Sequence, residues 1–105
     1  MGIIVIVAYR ALPGRVEALE VELHDHVPIL RGEGLATQRE PILMRAKDGA
    51  YVEVFEWVSA EAVEAAHKNP VVLAMWERFG AACTFENLAN LDESKELFSS
   101  FTPMN

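Results

Sequence analysis

The sequence predicts an α+β fold of order β-α-β-β-α-β, an antiparallel sheet with its helices on one face. Three observations carry this. Residues 2 to 11 are rich in β-branched residues and apolar on both sides of an extended pattern, as in a central strand. The pair Asp48-Gly49, between two runs of high β propensity, signals a hairpin. Apolar residues recur at helical spacing before and after that hairpin.

Each element follows from the residues in turn. The first strand has Ile3, Val5, Val7 and Tyr9 on one side and Ile4, Ile6, Ala8 and Arg10 on the other. Pro13-Gly14 turns the chain, and Val16, Leu19, Leu23, Val27 and Leu30 mark an amphipathic helix with an acidic outer face. Pro28 is expected to kink or loosen its last turn, and Gly32 and Gly34 to end it. Residues 35–46 and 50–58 are expected as the hairpin strands. Counting outward from Asp48-Gly49 pairs Met44 with Glu53, Ile42 with Phe55 and Glu40 with Trp57 on one face. The other face pairs Arg45 with Val52 and Leu43 with Val54. Pro41 cannot donate to a ladder, so its strand is expected at an edge.

Ser59 suits the N-cap of a helix to about Lys68, and Asn69-Pro70 suits a restart, Asn as cap and Pro in the first turn. The second segment is expected to bury Val72, Met75, Trp76, Phe79 and Cys83. Residues 84–91 are expected as a last strand, with Asp92 capping a final turn or two that carries Leu97, Phe98 and Phe101. The expected sheet order is the ferredoxin-like 4-1-3-2. The expectation is a single domain over residues 1–105, with its core in 3–92 and a tail in 93–105. A sheet face without helices that is also apolar needs a second cover, and a homodimer would supply it.

Composition narrows the partners. A net charge of −7 and a pI near 4.8 give phosphate backbones and anionic membranes nothing to attract them, so neither nucleic acid nor membrane is expected. With Cys83 as the one cysteine, no intramolecular disulfide can form, which suits a cytoplasmic protein. The apolar run of MGIIVIVAYR is too short for a secretory core and follows no basic residue. Ile6 also stands where a myristoylation pattern requires Ser or Thr.

Several landmarks coincide: YRALPGRVEAL, RGEGL, KDGAYVEVFEWVSAEAVEAAH and NPVVLAMWERF. Over residues 3–92 they resemble the antibiotic biosynthesis monooxygenase family of dimeric α+β barrels. The resemblance implies a ferredoxin-like monomer, a sheet that packs on a partner's sheet, and a ligand pocket between each sheet and its own helices. It also implies several possible activities: oxygenation of aromatic compounds without metal or flavin, haem degradation, or isomerisation. Some similar barrels have no established activity. The haem-degrading branch uses an asparagine in the first strand, a tryptophan early in the second helix and a histidine further along. Tyr9, Ala66 and Trp76 stand at those places here, which disfavours haem chemistry.

Within that frame His67 is the leading candidate. It shares a helix stripe with Val63, three or four residues apart, and a neutral imidazole suits removal of a proton from an electron-rich phenol before electron transfer to oxygen. The alternative is a core histidine bonded to a backbone carbonyl beside Pro70. Trp57, Trp76, Tyr9 and Tyr51 form the aromatic set, able to wall a planar ligand or donate to an oxyanion, or else simply to pack. Tyr9 stands out because the resemblance implies a helix-facing position for it.

Glu40 and Glu53 are expected on one largely apolar hairpin face, as a raised-pKa carboxyl or, preferred, in an ion pair with an arginine across the dimer. His24 and His26, two apart on a helix, point in different directions, so no metal site is read from LHDHV. No phosphate loop, Ser-His-Asp order or CxxC pair is present. The reading is a cofactor-free monooxygenase of a small phenolic or quinol-type compound, with His67 as base and Trp76, Tyr9 and Trp57 shaping the pocket. The alternative is a non-catalytic small-ligand or stress-associated barrel, or an isomerase.

Overall fold

A computed structural model describes residues 2–105. Strand β1 (Ile3–Ala11) pairs antiparallel with β3 (Tyr51–Trp57) on one side and with β4 (Cys83–Glu86) on the other. Strand β2 (Ile42–Arg45) pairs with the outer side of β3, and β5 (Thr102–Pro103) with the outer side of β2. The sheet order is therefore β4-β1-β3-β2-β5, the expected order with one strand added. Helices α1 (Val16–Gly32), α2 (Ala60–Ala66) and α3 (Pro70–Ala82) bury Leu19, Leu23, Leu30, Ala62, Ala66, Val72, Met75 and Phe79 against the inner face of the sheet. None of the helices is long and apolar enough to cross a membrane, among the described residues.

The hairpin register differs by one residue from that expected. Arg45 pairs with Tyr51, Met44 with Val52, Leu43 with Glu53 and Ile42 with Val54. The turn holds three residues rather than two: the Ala46 N–H bonds the Ala50 carbonyl, the Gly49 N–H bonds the Ala46 carbonyl, and Gly49 has φ of 96°. This is a turn closed by a left-handed glycine, the common three-residue hairpin solution. Because side chains alternate, a one-residue slip changes which pairs share a face. Glu53 therefore shares the inner face with Tyr51, Phe55 and Trp57 and with Leu43, while Ile42 and Met44 belong to the outer face. Glu40 is exposed ahead of β2. Strand β2 is also shorter than expected. Pro41 lies just before it rather than inside it, and Ala36 makes only an isolated bridge to Trp57.

Helix α1 runs through Pro28 without stopping. Leu19, Leu23, Val27 and Leu30 are all buried, and that burial outweighs one missing hydrogen bond. The helix ends where expected: Gly34 has φ of 74°, its N–H bonds the Arg31 carbonyl, and the Leu35 N–H bonds the Leu30 carbonyl. Those two bonds, with buried Leu35 beside buried Leu30, make a Schellman cap. Ser59 caps α2 by accepting from the Ala62 N–H at 3.1 Å.

The C-terminal segment is built into the sheet. After β4, 3-10 turns at Leu88–Asn90 and Asp92–Lys95 carry Leu88 and buried Leu91 onto the outer face. There Leu91 and Phe101 pack with Ala8, Val52 and Met44. Strand β5 then covers part of the β2 edge, so β2 is not the free edge that Pro41 suggested. The rest of the outer face leaves Ile4, Ile6 and Ile42 about half exposed (54, 51 and 51%).

Asn69 caps α3 as the sequence indicates, its Oδ1 accepting from the N–H groups of Val71 (2.9 Å) and Val72 (3.1 Å), with Pro70 in the first turn. Asn69→Ala is expected to lower stability by about 1 kcal/mol, a fall of roughly 5 °C in thermal midpoint. An unchanged midpoint by calorimetry would show that the cap adds nothing.

Candidate active site

The cavity between the inner sheet face and the helices has a volume of about 410 Å³, within the usual range for small-molecule sites. Val5 and Val7 of β1 and Val63 of α2 form its aliphatic wall. Phe55, Trp57, Phe79 and Phe85 form much of the remainder. Tyr9, Trp57, His67 and Trp76, which the sequence singled out, all line this one cavity. Tyr51 does not line it. Its hydroxyl donates to Glu20 at 2.6 Å and accepts from Arg45, whose guanidinium lies over the tyrosine ring.

His67 follows α2 as its C-cap residue and is exposed, so it stands on the solvent side of the cavity. Its Nδ1 lies 2.8 Å from the Val63 carbonyl. A carbonyl can only accept, so Nδ1 carries the hydrogen and neutral His67 keeps its lone pair on Nε2. Trp76, half-buried, meets the imidazole edge-on at 5.0 Å between centroids. The histidine does meet a backbone carbonyl, as the structural alternative required. Its partner is the preceding turn of its own helix, and its second nitrogen has no hydrogen bond among the described residues. Neither indole N–H has a protein acceptor among them.

The opposite wall holds a group that sequence reasoning did not assemble. The Tyr9 hydroxyl donates to Glu53 Oε1 at 2.8 Å, and His26 Nδ1 lies 2.7 Å from the same oxygen. All three side chains are buried, Glu53 with no exposed surface at all. Oε2 of Glu53 is buried and has no hydrogen-bond partner among the described residues. An unpaired buried acceptor opposes folding by roughly 1–3 kcal/mol. Burial first, then the charge and hydrogen bond of Glu53, hold the Tyr9 phenol far above its ordinary range, so it remains a neutral donor. Its hydroxyl is thus committed to Glu53. Phe55 and Phe79 each meet the His26 ring edge-on at 5.1 Å, and Phe79 stacks on Tyr9 at 5.4 Å.

The expected arginine partner for Glu53 is replaced by His26 and Tyr9 of the same chain. Four of the six arginines lie on other carboxylates, Arg10 on Asp48 and Glu86, Arg39 on Glu56, Arg45 on Glu20, and Arg78 on Glu22, and Arg31 bonds the carbonyls of Thr37 and Arg39. The sequence did carry a signal for His26, which is three residues from Leu23 and four from Leu30 on the buried stripe. The sequence places His26 at the border of the apolar stripe and exposed His24 near the polar face, but nothing local in it links His26 to Glu53 and Tyr9. Among the described residues no three His, Cys, Asp or Glu side chains gather as a metal site would need.

Neither a protein-family model nor a curated protein sequence matches the chain. The structure is similar to the crystal structure of SnoaB, a cofactor-independent oxygenase from Streptomyces nogalater. The TM-score is 0.65 over 81% of this chain and 86% of that one, at 17% sequence identity. The fold is ferredoxin-like α+β. At that identity the likeness speaks for the scaffold, and the chemistry must be argued from the cavity.

Tyr9 yields a test of the buried group. Its hydroxyl, with an ordinary value of 10.0, is held higher in the folded chain. The neutral form is therefore favoured by folding: this stability is complete below pH 10 and is lost as pH rises toward the folded value. Urea unfolding above pH 10 should show a loss of up to about 1.4 kcal/mol per pH unit from Tyr9. In Tyr9→Phe that part of the slope should vanish, leaving the smaller part from Tyr51, whose phenol burial and Glu20 also raise. Equal slopes in both proteins would refute the assignment.

Proposed function

We propose that the protein oxygenates a small phenolic or quinol-type aromatic compound with molecular oxygen, using neither metal nor flavin. The observation that carries this reading is an aromatic-walled cavity of about 410 Å³ bearing an imidazole with a free Nε2. The scaffold shared with a cofactor-independent oxygenase supports it. A phenol that becomes a quinone needs no outside reductant. The ring loses the hydroxyl proton and a carbon-bound proton, one oxygen atom enters as carbonyl, and the other leaves as water. Both protons need a base, and His67 is positioned to take one of them. Trp76 and Trp57 hold the planar ring and have indole N–H groups available to a developing oxyanion. Tyr9 shapes the wall, because its own donor is occupied.

The same reading includes a second copy of the chain on the outer sheet face, where Ile4, Ile6 and Ile42 are exposed in a row beyond the C-terminal segment.

Oxygen uptake with a panel of hydroquinones and polyhydroxylated aromatics tests the chemistry. His67→Ala is expected to slow uptake on a responsive compound by about 10²-fold. Equal rates would remove His67 from the mechanism, and uptake that depends on added flavin or iron would overturn the cofactor-free reading. Light scattering at micromolar protein should give twice the 11.7 kDa chain mass. A clean monomer mass would end the pairing proposal.

A further inference from the structure

We propose that His26 is a second base of this cavity, the one that takes the ligand's hydroxyl proton and holds the resulting phenolate, with Glu53 and Tyr9 as its positioning residues. The proposal rests on the phenolic reading above. His26 is 5% exposed and lines the cavity. Its Nδ1 is tied to Glu53, and its Nε2 has no hydrogen bond among the described residues. The only other titratable residues on the cavity wall are Tyr9 and His67.

The order of donors follows from chemistry. Tyr9 is a neutral phenol, so it donates to Glu53 Oε1. The same Oε1 lies 2.7 Å from His26 Nδ1 and accepts from it, so Nδ1 carries a hydrogen and Nε2 of the neutral ring presents a lone pair. A proton gained at Nε2 would leave the ring 2.7 Å from the Glu53 carboxyl oxygen, which stays hydrogen-bonded to Nδ1 throughout the transfer. His67 has only a neutral carbonyl behind it and stands in solvent. The two imidazoles therefore differ in what holds them, and His26 is the one braced by a carboxyl group inside the cavity wall. Elsewhere around His26, α3 and β4 contribute uncharged Trp76, Phe79 and Phe85, and Glu22 on its own helix is paired with Arg78. As a purely structural device the group is incomplete, because Glu53 Oε2 is buried without a partner.

The steps balance. The ligand O–H bond breaks and an Nε2–H bond forms on His26, leaving phenolate. The phenolate passes one electron to molecular oxygen, and the two radicals join at a ring carbon as a peroxide anion. His26 returns its proton to that peroxide. His67 then takes the proton from the same ring carbon, the O–O bond breaks, and hydroxide leaves with a proton as water. One phenol and one oxygen molecule become one quinone and one water.

The proton transfer can be tested without oxygen chemistry, using para-nitrophenol, whose anion absorbs visible light. With the wild-type protein the bound probe is expected to be ionised at least about tenfold more than free probe at the same pH. His26→Gln and Glu53→Gln should bind the probe but lose that excess. A wild-type protein that leaves the probe neutral, or a folded His26→Gln that keeps the excess, would overturn the proposal. Nitrogen NMR of the wild type needs no variant: His26 Nε2 should move from the unprotonated to the protonated range on addition of probe, and an unmoved signal would equally overturn it. The two readings fail separately. Ionised probe with no oxygen uptake on any substrate defeats the oxygenase, whereas uptake that survives His26→Gln unchanged defeats this role for His26.

Discussion

A carboxylate with no exposed surface joins three elements of this fold: Glu53 on β3 accepts from Tyr9 on β1 and is bonded to His26 on α1. A buried charge is tolerated only when its partners are close and held, so sheet and helix must meet at a fixed distance and rotation. The edge-on contacts of Phe55 and Phe79 with His26 and the stack of Phe79 on Tyr9 are consequences of that meeting. So is the cavity, since rings braced by hydrogen bonds at one end cannot collapse inward to fill it. Replacing Glu53 by an apolar residue would remove a group adverse to folding and at the same time release the rings that hold the cavity open.

The two histidines illustrate how one residue type acquires different chemistry from its neighbours. His67 has a carbonyl behind it and water in front; His26 has a carboxylate behind it and apolar rings around it. Both line the same cavity, and in both it is Nδ1 that is engaged. A planar ligand lying between them would meet a buried imidazole on one side and a solvent-exposed one on the other, an arrangement suited to moving protons in sequence.

Much of this was legible in the sequence where the signal is local. Residue spacing and caps located β1, the long helix and the restart at Asn69-Pro70, because those signals depend only on neighbours within a turn or two. The aromatic wall was legible as well, since Tyr9, Trp57, His67 and Trp76 fall on inner-facing positions of their elements. What was not legible depends on single-residue choices or distant pairing. Asp48-Gly49 is compatible with turns of two or three residues, and the observed one puts Leu43 rather than Met44 opposite Glu53 and leaves Ile42 and Met44 on the outer face. Pro28 suggested a break that long-range burial overrode. Strand β5 has two residues, one of them proline, and no periodicity from which to find it.

The late strand bears on how the chain is made. Synthesis delivers β2 some sixty residues before the segment that shields its outer side, and until then its backbone groups are an open template for other chains. In the finished fold Asn105 mimics a strand residue, its side-chain oxygen accepting from the Leu43 N–H and its amide donating to the Pro41 carbonyl. The proline ahead of β2 lacks a donor, so the end of the edge next to it offers newcomers less to hold. The nascent chain is therefore most vulnerable to misassociation in the interval between completing β3 and completing β5, and its short β2 and adjacent Pro41 keep that vulnerable edge small.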